Sequence, residues 1–156
     1  MKVYTLKQIQ RLPIDLDQAW EFFSNPRNLS KITPPALEFE CLDEFDEMRP
    51  GMMLMYRVRP LPGFRTTWVT EITHVDRPSL FVDEQRVGPY KLWHHQHRFR
   101  EIPGGVEMED EIHYALPFGW LGRIFHKPIV LSELRKIFAF RQKTLIEMFG
   151  DRQNST

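Results

Sequence analysis

Between Leu37 and Leu116 the chain is cut into short segments by closely spaced turn residues, and this punctuation constrains the fold more than any other feature. The separators are Arg49-Pro50-Gly51, Pro60 to Gly63, Arg77-Pro78-Ser79, Gly88-Pro89-Tyr90 and Pro103-Gly104-Gly105. They divide strand-like stretches at about 37–45, 52–59, 64–75, 80–87, 91–101 and 106–116. A parallel crossover needs about a dozen residues or more, so connections this short require antiparallel neighbours. The region is expected to be a meander.

The flanks complete the sheet and cover it. Residues 3–12 alternate Val3, Thr5, Lys7, Ile9 and Arg11 against Tyr4, Leu6, Gln8, Gln10 and Leu12, which reads as a first strand. Asp15, with Gln18 three residues on and then Ala19, Trp20, Phe22 and Phe23, is the signature of a capped short helix. Asn25-Pro26 repeats the start signal, and Thr33-Pro34-Pro35 ends a second short helix. Over 129–149 the apolar positions Leu131, Leu134, Phe138, Leu145 and Met148 or Phe149, joined by Arg141, recur at three- and four-residue steps, predicting a long amphipathic helix. The fold class is therefore α+β, with seven antiparallel strands and helices segregated to one side. A long helix laid on the concave face of a curved sheet seldom closes against it completely, so an internal cavity is expected.

Composition narrows the setting. The 156 residues fit one domain over 1–150 with a polar tail at 151–156. Lys plus Arg and Asp plus Glu both total 21, so no overall field recruits nucleic acid, which is not expected as a partner. No apolar run approaches the roughly 20 residues of a membrane span. The start MKVYTLKQIQ lacks the apolar core and cleavage site of a secretory signal, and the expected location is the cytoplasm. Cys41 is the one cysteine and, flanked by Phe39 and Leu42, reads as an ordinary strand thiol. No cofactor is expected.

Charge sets the register of the last hairpin. If Glu101 faces Val106, then Arg100 meets Glu107 and Arg98 meets Glu109 on a solvated face. The opposite face then carries Trp93, His95, His97 and Phe99 against Tyr114, Ile112, Asp110 and Met108. Continuing across the turn at Gly88-Pro89-Tyr90 sets Gln85 opposite Trp93 and Asp83 opposite His95. Asp83, His95, His97 and Asp110 thus form a polar band among apolar residues, and buried polar groups must be paired or face a wet cavity. Three readings remain open. The band satisfies itself inside the sheet; it fixes the polar end of an otherwise apolar ligand; or His97, oriented by Asp110, acts as a general base. His95-x-His97 also projects to one strand face, which makes His95, His97 and Asp110 candidate metal ligands. His94 and His113 fall opposite each other on the outer face, as solvated residues.

Further cavity walls are expected from Trp68 and Ile72, with Leu54, Tyr56 and Val58 on the preceding strand, although core packing explains them equally well. Met48, Met52, Met53 and Met55 cluster around one turn and strand as adaptable packing. Arg141, amid the apolar stripe of the long helix, is expected either to snorkel out or to find a carboxylate, for which Asp83 or Asp110 would serve, with an anionic ligand head group as the further alternative. Phe118-Gly119-Trp120-Leu121-Gly122-Arg123-Ile124-Phe125 reads as a packed corner, a lid or a partner-binding patch.

Phe81-Val82-Asp83-Glu84-Gln85, Gly88-Pro89-Tyr90, Trp93 to Phe99 and Tyr114-Ala115-Leu116-Pro117-Phe118-Gly119 resemble the bacterial polyketide-cyclase/dehydrase-like, ligand-binding branch of the START/Bet v 1 (SRPBCC) superfamily. The stretch from Asn28-Leu29 to Thr33-Pro34-Pro35 and the helix carrying Arg141 are similar too. The resemblance spans nearly the whole chain and implies a helix-grip domain with an apolar cavity. The ligand-facing set expected is Tyr56, Trp68, Ile72, Asp83, Gln85, Trp93, His95, His97, Phe99, Asp110, Ile112, Tyr114, Leu134, Phe138 and Arg141. The leading functional expectation is binding or carriage of a hydrophobic small molecule such as a lipid, isoprenoid or aromatic polyketide-like compound. The alternatives are a cyclase/aromatase-type enzyme using His97 and Asp110, or an interaction module with a filled pocket whose contact surface is 118–125 or an exposed sheet edge; a homodimer is the one protein partner considered.

Overall fold

Arg49-Pro50-Gly51, Arg77-Pro78-Ser79, Gly88-Pro89-Tyr90 and Pro103-Gly104-Gly105 fall where the chain reverses between antiparallel strands, whereas Pro60 and Leu61 extend a strand and Pro62 lies outside the described residues. The computed structural model describes residues 1–44, 47–61, 63–117, 119 and 126–151. Its elements are β1 (Tyr4–Leu12), α1 (Leu16–Phe23), two 3₁₀ segments (Pro26–Ile32 and Pro35–Leu37), β2 (Glu40–Cys41), β3 (Met52–Leu61), β4 (Phe64–Asp76), β5 (Leu80–Val87), β6 (Leu92–Ile102), β7 (Gly105–Ala115), a π-helical turn (His126–Leu131) and α2 (Ser132–Phe149). The strands form one antiparallel sheet in the order β1-β7-β6-β5-β4-β3-β2. Register shifts between Val58 and Leu61 on β3, at Arg86 of β5 opposite Val69/Thr70, and between Ile72 and His74 on β4 each insert an extra residue, which adds local twist. Phe118–Phe125, Gly119 apart, lies outside the described residues. Among the described residues no helix is long and apolar enough to cross a membrane.

Local chemistry explains the starts and stops. Asp15 accepts a hydrogen bond from the Gln18 backbone N–H at 2.7 Å and caps α1, whose Ala19 and Trp20 are buried. Asn25 caps the next segment by accepting from the Arg27 N–H at 3.1 Å, but this segment is 3₁₀ rather than α. The expected strand at 37–45 shrinks to Glu40–Cys41. Glu38 turns the chain with a left-handed backbone (φ 44°), and beyond Cys41 the Leu42 N–H still donates to Met55 O at 2.9 Å, but the Asp43 carboxylate takes the Met55 N–H, so a side chain replaces the backbone acceptor and the ladder ends. The long helix begins at Ser132 rather than 129, after the π-helical turn.

The β6–β7 register is the one dictated by charge: Arg98 pairs with Glu109, Arg100 with Glu107 and His97 with Asp110. Gly105 closes this hairpin against β1, where a Cβ would meet the Leu12 carbonyl oxygen at 2.1 Å. Two apolar clusters flank the middle of the sheet. In one, Trp20 of α1 stands edge-on to Phe81 (5.9 Å, 81°) and Phe99 (6.1 Å, 80°). In the other, Leu6, Ile112 and Tyr114 pack against Leu134 and Phe138 of α2. The buried stripe of α2 is Leu134, Phe138, Arg141 and Leu145. At its end Phe149 packs on Phe22 (5.1 Å) while Met148 stays exposed.

Candidate functional site

Between these clusters the sheet and α2 part to leave a cavity of about 640 Å³. Sheet residues Tyr56, Val58, Trp68, Thr70, Ile72, Phe81, Trp93 and Ile112 form one wall. Leu134, Ile137 and Phe138 of α2 form the opposite wall, and Phe22, Phe23, Leu29 and Ile32 close one side. Trp68 stands edge-on to Trp93 (5.3 Å, 87°), and Tyr90 leans on Trp93 at 4.8 Å. Burial pushes the Tyr56 and Tyr90 hydroxyls up, so both remain protonated near neutral pH.

The polar band is a closed network. His97 lies between two carboxylates, with Nε2 2.7 Å from Asp83 Oδ2 and Nδ1 2.9 Å from Asp110 Oδ1. His95 lies between the same two, with Nε2 3.0 Å from Asp110 Oδ1 and Nδ1 3.6 Å from Asp83 Oδ2. The two rings are 3.7 Å apart at their centroids. Asp83 is therefore on one side of the imidazole pair and Asp110 on the other. Arg141 Nη1 lies 3.6 Å from Asp110 Oδ2, and its guanidinium sits 4.9 Å from the Phe138 ring centroid.

Burial opposes charge on all four network side chains, and the local partners decide which ones keep it. Burial pushes the Asp110 carboxyl up, but hydrogen bonds from His95 and His97 and the Arg141 charge outweigh it and hold the group well below the ordinary carboxylate range. Asp83 is also lowered, because both imidazoles outweigh its burial. His97 is raised despite its burial by hydrogen bonds to Asp110 and Asp83. His95 is lowered by burial and by its proximity to His97, against the pull of both carboxylates.

The cavity gathers Tyr56, Trp68, Ile72, Asp83, Trp93, His95, His97, Ile112, Leu134, Phe138 and Arg141 from the expected set. Four members do not line it. Phe99 is sealed beneath α1, in contact with Trp20 and Phe23. Tyr114 is fully buried against Tyr4 and Tyr90. Asp110 lies behind the imidazoles. Gln85 does not pair with Trp93, because the β5–β6 ladder stops at Glu84 and His94; its amide instead brackets the turn, donating to Tyr90 O at 2.7 Å and accepting from Tyr90 N at 3.2 Å. Leu54, another expected wall residue, belongs to the closed core. Outside the cavity, His94 is half-buried and 2.8 Å from Glu84 rather than freely solvated.

Residues missing from the expected wall include Phe22, Phe23, Leu29, Ile32, Thr70 and Phe81. The apolar faces of the two short helices carry the signal for the first four, but read as core they hide the gap beneath them. Among the described residues, Asp83, His95 and His97 offer one ligand atom each within 4.8 Å of one another, so Asp83 stands with the two imidazoles as a candidate ligand beside the expected Asp110.

Comparison with known proteins assigns the class. Residues 12–130 match the family described as polyketide cyclase / dehydrase and lipid transport, and the chain belongs to that family. None of the curated proteins matches it. Among solved structures, the Zhui aromatase/cyclase from a Streptomyces species superposes with a TM-score of 0.72 at 12% identity, covering 94% of this chain and 93% of that one. Protein Ms6760 from Mycobacterium smegmatis gives 0.66 at 19%, covering 95% and 98%. Ginseng major latex-like protein 151 from Panax ginseng gives 0.59 at 16%, covering 89% and 97%. At such identities these likenesses establish the fold, which is the Bet v 1-like helix grip.

Proposed function

We propose that this protein binds or carries a mid-sized apolar molecule, a lipid, isoprenoid or aromatic polyketide-like compound, between its sheet and α2. The observation that carries the reading is the unfilled cavity of about 640 Å³ walled by aromatic and aliphatic side chains. That volume lies within the roughly 300–1,000 Å³ of small-molecule sites. A few polar groups converge on it, namely the Asp83, His95 and His97 cluster, Arg141 and the protonated hydroxyls of Tyr56 and Tyr90. They suit a ligand with an apolar body and one hydroxyl or carbonyl end. An open cavity of this size speaks against an interaction module with a filled pocket.

A cyclase-type enzyme is the second reading, favoured by imidazoles on the cavity wall and by likeness to an aromatase/cyclase. Its difficulty is that both His97 nitrogens already face carboxylates, at 2.7 and 2.9 Å, leaving no ring lone pair directed at a substrate. Titration with a neutral naphthylamine fluorophore tests the binding reading. Saturable enhancement at one site, reversed by a non-fluorescent polycyclic competitor, is expected; no enhancement, or enhancement that no apolar compound reverses, contradicts it.

A further inference from the structure

Two histidines backed by one carboxylate and faced by another make an arrangement that proton sharing alone does not require. We propose that Asp83 Oδ2, His95 Nδ1 and His97 Nε2 form a two-histidine, one-carboxylate site for a divalent transition-metal ion, with its remaining coordination positions open to the apolar cavity.

Strand geometry brings the ligands together. His95 and His97 project to the same face of β6 because side chains alternate, and Asp83 is the direct cross-strand partner of His95 on β5. The three line the cavity, whereas Asp110 does not. Around a zinc ion bound at about 2.0–2.1 Å, tetrahedral ligand atoms lie about 3.4 Å apart. Asp83 Oδ2 is 3.6 Å from His95 Nδ1 and 2.7 Å from His97 Nε2, and the ligand atoms of the three residues all lie within 4.8 Å of one another, so side-chain adjustment, including an opening of the shortest contact, brings them to that spacing.

The far side of the cluster supplies what such ligands need. A metal-bound imidazole generally donates its other ring N–H to a carboxylate, which fixes the ring and raises its basicity. Here one oxygen, Asp110 Oδ1, accepts from both rings, at 3.0 Å from His95 Nε2 and 2.9 Å from His97 Nδ1. Arg141 steadies its other oxygen at 3.6 Å. Loading the ion displaces the proton between His97 Nε2 and Asp83, and both rings keep the proton that faces Asp110. Imidazole and carboxylate together suit zinc or ferrous iron, and only three protein ligands leave room for water or a ligand oxygen, as open sites do. The inference rests on the side-chain cluster and stands whether or not the cavity carries an apolar ligand.

The test is titration of the untagged, chelator-treated chain with cobalt(II) chloride. One saturable equivalent is expected, with the intense visible bands of four- or five-coordinate cobalt and displacement by zinc chloride. Asp83→Ala and His97→Ala should abolish the bands, and His113→Ala on the outer face should keep them. Asp110→Asn should retain the equivalent but weaken it roughly 10- to 100-fold. Should the cavity variants fail to fold, X-ray absorption of the zinc-loaded natural chain decides, with two imidazoles in the coordination shell expected. No visible bands in excess cobalt, bands undiminished by Asp83→Ala, or a zinc shell without two imidazoles overturns the proposal.

Discussion

Arg141 of α2 reaches the sheet at Asp110 of β7, with Nη1 3.6 Å from Oδ2, and this contact ties the one charged position in the helix's buried stripe to the polar network. Asp110 is the hub, because it also meets both imidazoles. Asp110→Ala should therefore destabilise the protein by about 3–5 kcal/mol, since it leaves the Arg141 charge buried without compensation. Arg141→Met should cost less, because Asp110 keeps two imidazole partners. Urea unfolding of the two variants checks the order, and an Arg141→Met loss equal to or above that of Asp110→Ala contradicts it.

Trp68 and Leu54 separate binding from folding. Trp68 is half-buried on the cavity wall, so Trp68→Ala should lower affinity for a neutral fluorophore roughly tenfold, about 1.4 kcal/mol. Leu54, 1% exposed in the closed core, should behave oppositely. Leu54→Ala should cost about 2–5 kcal/mol of stability and leave affinity within a factor of about two. Parallel titrations and melts of both variants would show the crossover.

Much of the site follows from charge on the opposite face. Arg98, Arg100, Glu107 and Glu109 mark the outside of the β6–β7 hairpin, and that fixes His97 across from Asp110 and His95 across from Ile112. Alternation identifies a face, however, and not which part of it stays uncovered. Phe99 and Tyr114 share the inner face with His97 but are closed off by Trp20 and by Tyr4 with Tyr90. Which ring nitrogen meets which carboxylate depends on side-chain rotation, so the bracketing of both imidazoles by Asp83 and Asp110 was not legible. The short β2 escaped for a similar reason, because the Asp43 side chain takes the Met55 N–H.

Gly105 has no room for a side chain. A Cβ there would sit 2.1 Å from the Leu12 carbonyl oxygen, a backbone atom held in the β1–β7 ladder. Gly105→Ala should cost about 1–3 kcal/mol, seen as a lower urea midpoint with an unchanged slope. A midpoint equal to that of the natural chain would contradict the close approach.

Cys41 should be a slow nucleophile. Burial pushes its thiol up, with the nearby Asp43 charge adding to the shift against that residue's backbone hydrogen bond, so the thiolate is scarce at neutral pH. Alkylation by iodoacetamide should run slower than that of a small free thiol, and its rate should rise at higher pH. A rate at or above that of a small free thiol, or a rate–pH midpoint at or below the ordinary thiol range, would contradict this.

The most direct test of the binding account is native mass spectrometry after equilibration with a mixture of mid-sized apolar compounds, run beside Ile137→Trp, which places an indole in the cavity from α2. One-to-one complexes with the natural chain, lost in a folded Ile137→Trp variant, are the predicted result. Absence of complexes with the natural chain, or complexes that the variant retains unchanged, would contradict the claim that this cavity is the binding site.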